Sequence, residues 1–187
     1  MNAPGPDEEL MLRYRAGDAA AFEALYGRHK GGLFRFLRRQ CASASAAEEL
    51  FQEAWIRVID ARERYEARAK FSTWLYTIAH NLLMDHYRRQ GRRGVEESLD
   101  DDDPPAEPIA NPDDGPERVF DRKRRAERIL AALDAIPDVQ REAFLLQQEG
   151  GLSVEEIASA TGVPFETAKS RLRYALAKLR TCLEDLR

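Results

Sequence analysis

Residues 94 to 117 place ten acidic side chains and five prolines in a stretch without a single Lys or Arg. With few apolar residues, such a segment cannot recover the entropy lost on ordering, and its like charges repel one another. It therefore cannot share a core with its neighbours, and the chain must fold as two modules, 1–93 and 118–187, joined by an acidic flexible linker. The whole chain carries 29 basic and 33 acidic side chains, a formal net charge of −4 that argues against a nucleic-acid partner. Outside the linker the balance reverses. Residues 1–93 hold 16 bases against 12 acids and residues 118–187 hold 13 against 11, so both modules are mildly basic.

Ala, Leu, Arg and Glu outnumber the β-branched residues, and the prolines concentrate in the linker, so an all-α fold is expected. No apolar run reaches the roughly 18 residues of a membrane span, and the first residues lack a basic start with an apolar stretch for export. The expectation is a cytoplasmic protein without membrane insertion. Cys41 and Cys182 stand alone, with no CxxC or CxxH neighbour, and read as ordinary thiols.

In the second module Ile129, Leu130, Leu133 and Ile136 recur at helical spacing up to Pro137. Val139, Ala143, Phe144 and Leu146 mark a further helix ending at Gly150 and Gly151. Ser153 and Glu156 form the pattern of a capping box, which opens a short helix with Val154, Ile157 and Ala158 on its apolar face. Gly162 permits a left-handed turn and Pro164 suits the start of the next helix. Two short helices joined by such a turn predict a helix-turn-helix. On the last helix Phe165, Ala168, Leu172, Ala175, Leu176 and Leu179 share one side. Glu166, Thr167, Lys169, Ser170, Arg171, Arg173 and Tyr174 remain for the other, where Arg and Lys suit phosphates and side chains near the helix start suit base edges in a major groove. A solvated, salt-bridged face is the alternative.

The first module reads as a helical bundle with breaks near Gly17, Gly31–Gly32, residues 42–47 and residues 64–71. In the helix over 47–60, Phe51, Ala54, Trp55 and Val58 make core, while Glu49, Gln52, Glu53, Ile56 and Asp60 form an opposite stripe that suits a docking partner or plain solvent. In the helix over 72–90, Leu75, Ile78, Ala79, Leu82, Leu83 and His86 face inward. Trp74, Thr77, Asn81, Asp85 and Arg88 line the other side, and Asp85 can hold Arg88 one turn away. Basic residues continue through Arg89, Arg92 and Arg93. Upstream, Tyr65, Arg68, Lys70 and Phe71 interleave aromatics with cations in a loop, the combination that unstacked bases and a single-stranded backbone require. Packing of Phe71 and Trp74 against a neighbouring helix is the competing reading.

No phosphate-binding Gly loop, nucleophile motif or metal-ligand spacing is present, so no catalytic residue, cofactor or metal is expected. A metal-binding or hydrolytic bundle drawing on Glu49, Glu53, His80 and Asp85 is disfavoured because no Glu-x-x-His pair occurs.

Residues 48–59 and 71–89 resemble region 2 of the extracytoplasmic-function (ECF) RNA polymerase sigma factors of the sigma-70 family. Residues 136–144, 153–158 and 167–175 resemble their region 4. The resemblance implies a region 2 helix bundle and a region 4 helix-turn-helix. It implies core RNA polymerase docking at Glu49, Gln52, Glu53 and Ile56. The −10 promoter element would be opened and read by Tyr65, Lys70, Phe71, Ser72, Trp74, Asn81, Arg88, Arg89 and Arg92. The −35 element would be read by Glu166, Thr167, Lys169, Ser170, Arg171, Arg173 and Tyr174. It further implies promoter DNA and an anti-sigma factor as partners. His80 stands where the family often has Arg, which weakens a phosphate contact there. The acidic linker suits either a spacer or an occupant of a basic polymerase channel. The alternative function is a helix-turn-helix regulator that acts without polymerase.

Overall fold

The structure, a computed structural model, describes residues 6–93 and 127–184; the acidic linker expected over 94–117 lies outside the described residues. The first part holds α1 (Asp7–Arg15), α2 (Ala19–Arg38), α3 (Ala44–Asp60), a 3-10 turn (Arg62–Arg64) and α4 (Phe71–Arg93). The second holds α5 over 127–134, α6 (Asp138–Gly150), α7 (Val154–Thr161) and α8 (Phe165–Glu184). No strand occurs among the described residues.

Local chemistry sets these boundaries. The Asp18 carboxylate accepts from the Ala20 and Ala21 amides at the start of α2, and the Ser43 hydroxyl accepts from Ala46 at the start of α3. Ser153 and Glu156 complete the expected capping box of α7, and Gly162 leaves that helix at φ 65°, a left-handed conformation that costs a side-chain-bearing residue more than glycine. The helix-turn-helix is therefore built as its sequence predicts.

The expected break at Gly31–Gly32 does not occur. α2 runs unbroken through both glycines, and the reason lies across the module boundary. A Cβ on Gly32 would stand 2.8 Å from the Glu149 carbonyl oxygen and 3.0 Å from the Tyr76 hydroxyl. On the other side a Cβ on Gly150 would stand 2.6 Å from Leu152 Cδ1 and 3.0 Å from the Tyr76 ring. Gly32 is thus a site of close helix approach, where α6 reaches α2 with the buried Tyr76 ring beside it.

That approach joins the two modules. One buried cluster extends from Leu10 and Met11 through Leu33, Phe36, Leu75 and Tyr76 to Leu145, Leu146, Leu152 and Ile157. A smaller cluster of Ala132, Leu133, Ile136, Ala175 and Leu179 ties α5 to α8. Each large apolar side chain so buried contributes roughly 1.5–3 kcal/mol relative to exposure. Polar contacts follow the same seam. His80 Nδ1 lies 2.6 Å from Glu142 Oε1, Arg35 Nη2 lies 2.7 Å from Glu149 Oε2, and Lys70 Nζ lies 3.1 Å from Glu156 Oε1. α4 is accordingly buried on more than the one face its periodicity suggests: Tyr76, unassigned by that reading, is only 1% exposed.

Two outcomes follow for the seam. Gly32→Ala should raise the helical stability of α2 by about 1 kcal/mol while pushing α6 away, so the distance between labels on α2 and α6 should lengthen without loss of helical circular dichroism. Burial pushes the Glu156 carboxyl up, but the Ser153 amide and the Lys70 ammonium outweigh burial and hold it below the usual carboxylate value. A carboxyl lowered in the folded state stabilises fully above its unfolded value and ceases to do so as the pH falls through the folded one. The Lys70–Glu156 contact should therefore be insensitive to pH from 7 to about 5 and weaken only below about pH 4, as read from the distance between labels on α4 and α7.

Candidate nucleic-acid interface

Three exposed regions carry the residues singled out from sequence. On α3 the Ala47, Leu50, Ala54, Trp55 and Val58 side is buried, and Trp55 packs edge-on to Phe22 and Tyr26 of α2 at 5.8 and 4.9 Å between ring centroids. Outward stand Glu49, Gln52 and Ile56, the last 54% exposed, with half-buried Glu53 paired to Arg57 at 2.8 Å.

The second region is the segment between α3 and α4. Ala61, Arg64, Tyr65, Glu66, Arg68, Ala69 and Trp74 line a concavity of about 510 Å³. Its cations point outward: Arg64, Arg68 and Lys70 are exposed, Arg68 pairs with Glu66 at 2.5 Å, and Lys70 is held by Glu156. Its aromatics behave differently. Tyr65 and Phe71 are 3% and 0% exposed, which corrects the expectation that either offers a free stacking face. Both close on Trp74, at 5.0 and 5.8 Å between centroids, and Phe71 also meets His29 at 5.2 Å. The cause is the apolar area of the rings, which is worth more inside the bundle than on a loop surface. Half-buried Trp74 is the aromatic of this trio that keeps part of its surface outside. Burial raises the Tyr65 phenol to about 12, with the Glu8 and Asp7 carboxylates adding to the shift, and its hydroxyl has no hydrogen-bond partner among the described residues.

Beyond the concavity, Ser72 is half-buried and Asn81, Arg88 and Arg89 are exposed along α4; Asp85 holds Arg88 at 3.0 Å as the spacing suggests. The side chain of Arg92 lies outside the described residues. His80 is not directed to this surface, because Glu142 of α6 takes it. Arg64 and Glu66 were missed as pocket residues: charged side chains in a short loop give no periodic signal. Among the described residues no group of three or more His, Cys, Asp and Glu is arranged to hold a metal.

The third region is α8. Ala168, Leu172 and Ala175 are buried, and Glu166, Lys169, Arg173 and Tyr174 are exposed. Thr167, Ser170 and Arg171 are half-buried, and the Ser170 hydroxyl donates to the Thr167 carbonyl at 3.0 Å. Lys169 reaches Glu166 at 3.5 Å and lies over the Phe165 ring, while the Arg173 guanidinium sits 5.1 Å from the Tyr174 ring centroid. Phe165, expected inward, is 40% exposed.

Two helical modules, one a helix-turn-helix with a basic outer face, define a DNA-binding protein. Residues 25–93 match the family model of Sigma-70 region 2 and residues 126–179 that of Sigma-70, region 4. The chain is 36% identical to the RNA polymerase sigma factor CarQ of Myxococcus xanthus, over 94% of this chain and 97% of that one. It is 35% identical to the ECF RNA polymerase sigma factor SigE of Mycolicibacterium smegmatis, over 89% of this chain and 64% of that one. The chain belongs to the ECF sigma factors of RNA polymerase. It is similar in fold to the sigma factor RpoE solved in complex with the anti-sigma factor NepR from Bartonella quintana, with a TM-score of 0.67 and 23% identity over 87% of this chain and 96% of that one. Its role is that of a promoter-specific transcription initiation factor acting with core RNA polymerase on promoter DNA, and the regulator acting without polymerase is not favoured.

The different burial of the loop aromatics gives separable outcomes. Tyr65→Phe should leave thermal stability unchanged or raise it by about 1 kcal/mol, since it removes a buried hydroxyl that lacks a partner. Trp74→Ala should weaken binding of single-stranded −10 DNA by about 1–3 kcal/mol, the range for loss of a base-stacking ring. Thermal denaturation and fluorescence anisotropy distinguish the two.

Proposed function

We propose that the three exposed regions divide the work of initiation among them. The α3 stripe of Glu49, Gln52, Glu53 and Ile56 docks core polymerase. The concavity between α3 and α4 takes an extruded −10 base against Trp74, with Ser72 and Asn81 offering hydrogen bonds and Lys70, Arg88, Arg89 and Arg92 steadying the strand. α8 enters the −35 major groove, where Glu166, Thr167, Ser170 and Arg171 reach base edges and Lys169, Arg173 and Tyr174 meet the backbone. The observation that carries this reading is the concavity itself, a cation-rimmed recess walled by Trp74 on the module that also bears the free α3 stripe. Extruding a base costs a few kcal/mol, which stacking and enclosure offset.

Tyr65 and Phe71 enter as the wall behind Trp74. The factor acts by binding, with no catalytic centre of its own, and works in the cytoplasm, where polymerase and DNA are. Residues 1–93 and 118–187 act as separate readers, and the seam between them opens when both engage DNA, because Lys70 cannot hold Glu156 and a phosphate at once. An anti-sigma protein, as in the Bartonella complex, is the class of regulator we assign.

Run-off transcription with core polymerase and the full chain tests the division. Ile56→Lys should abolish co-elution with core and all promoter-dependent product. Arg171→Ala should leave co-elution intact, cost about 1–3 kcal/mol in promoter affinity and relax choice at its contacted base pair. Normal co-elution of the Ile56 variant would remove α3 from the reading.

A further inference from the structure

We propose that α1, which precedes the part of the chain matching region 2, is the clamp that sets the shape of the reading loop, with Glu8 and Arg15 as positioning residues. The inference rests on the proposed capture of a base in the concavity and adds the element that holds its rim in place.

α1 grips the loop at both ends and at the turn before it. The Glu8 Oε1 accepts the Phe71 amide at 2.6 Å, at the first residue of α4. A helix start leaves its first amides without partners inside the helix and favours negative charge beside it. The residue immediately before α4 is Lys70, whose side chain has no acceptor to offer, so the carboxylate comes from 63 positions upstream. At the other end Arg15 Nη1 donates to the Tyr65 carbonyl at 2.9 Å, in a half-buried contact. Before the loop, the Arg62 guanidinium lies over the Tyr14 ring, 5.7 Å from its centroid.

α1 is itself anchored. Leu10 and Met11 are 1% and 0% exposed, Asp7 pairs with Arg28 and lies 2.6 Å from His29 Nε2, and Arg13 holds Asp18 at 2.6 Å. The pocket-lining residues Tyr65, Glu66, Arg68 and Ala69 thus lie on a segment whose two ends are tied, by backbone atoms, to one fixed helix. Because the ties are to the backbone, they fix the path of the loop whatever its side chains, and a fixed path spares the loop its ordering cost when a base enters.

The test uses holoenzyme assembled from core polymerase and full-length Glu8→Ala, Glu8→Gln, Arg15→Ala and Trp74→Ala chains. Promoters carry 2-aminopurine next to the captured position or each of the four bases at that position. Glu8→Ala and Arg15→Ala should co-elute with core like the unaltered chain. Both should lose about tenfold in the preference for the best base over the others, the ratio that corresponds to one charge-assisted hydrogen bond. Glu8→Gln, which keeps an acceptor oxygen, should recover most of that preference. Hydrogen exchange at the Phe71 amide should accelerate in Glu8→Ala and stay slow in Glu8→Gln. An undiminished base preference in both alanine variants, beside a defective Trp74→Ala, would overturn the clamp while leaving base capture standing. A Trp74→Ala holoenzyme with normal opening and preference would instead overturn base capture. Equal loss in Glu8→Gln and Glu8→Ala, or loss of core binding in either alanine variant, would reduce α1 to a general structural part and also sink the proposal.

Discussion

The approach of α6 to α2 at Gly32 is the constraint on which the arrangement of this chain depends. Two helices with ordinary side chains at their contact keep their axes about 8–10 Å apart. With hydrogen in place of a side chain at Gly32 and Gly150, the α6 backbone comes down onto α2 and the Tyr76 ring fills the space beside it. Tyr76 also stacks edge-on to Phe36 at 5.3 Å. This contact is what makes one buried cluster of two modules that their sequence separates by a long acidic segment. It also explains why α4 is buried on two sides: α2 and α3 cover one, α6 and α7 the other.

The electrostatics of the seam are secondary to that packing. Arg35 and Lys70 remain 57% and 65% exposed in their side chains, and pairs with so much water around them are worth about 0–1 kcal/mol and are screened by salt. His80 and Glu142 differ, at 12% and 6% side-chain exposure. Losing one partner of a contact this enclosed leaves a buried polar group unsatisfied, at a cost of about 1–3 kcal/mol and more where that group is charged. The exposed pairs therefore bias orientation, and the glycine contact with its buried pair decides whether the modules meet. The Arg35 and Lys70 pairs draw acids from the second module onto bases of the first, so closure occupies cations on the module whose surplus of base first pointed to DNA.

How far the sequence could be read depended on whether a signal was local. Capping boxes, turn glycines and helical periodicity act within a few residues, and Ser153, Glu156, Gly162 and the Ala168, Leu172, Ala175 and Leu179 side of α8 were legible for that reason, although Phe165 and Leu176, read as sharing it, are exposed. The outward stripe on α3 was legible too, since one helix facing one core leaves the opposite face outside. Tyr65 and Phe71 were misread because aromatics among cations look alike whether the rings point in or out, and only the bundle's need for apolar volume decides. Gly32 looked like a breaker because its partner, the Glu149 carbonyl, lies more than a hundred positions away. Glu8 and Arg15 were invisible as parts of the loop, since a side chain that caps a remote helix has no spacing rule.

Closure and loop shape meet at Lys70. In the closed chain the end of the loop is tied from two sides, by Glu156 of α7 through the Lys70 side chain and by Glu8 of α1 through the next backbone amide. These ties differ in kind. The first is an exposed ion pair that a phosphate can replace with like charge and similar geometry. The second is a part-buried bond from a carboxylate to a backbone amide, carried by a helix that Leu10 and Met11 anchor in the core, so it is less open to exchange than the first. On the opening proposed above, departure of the second module from α4 costs the loop the exposed Lys70–Glu156 tie, while the tie to α1 remains. Base capture as proposed here requires that order of events: side-chain contacts exchanged for nucleic acid, the backbone frame left as it was.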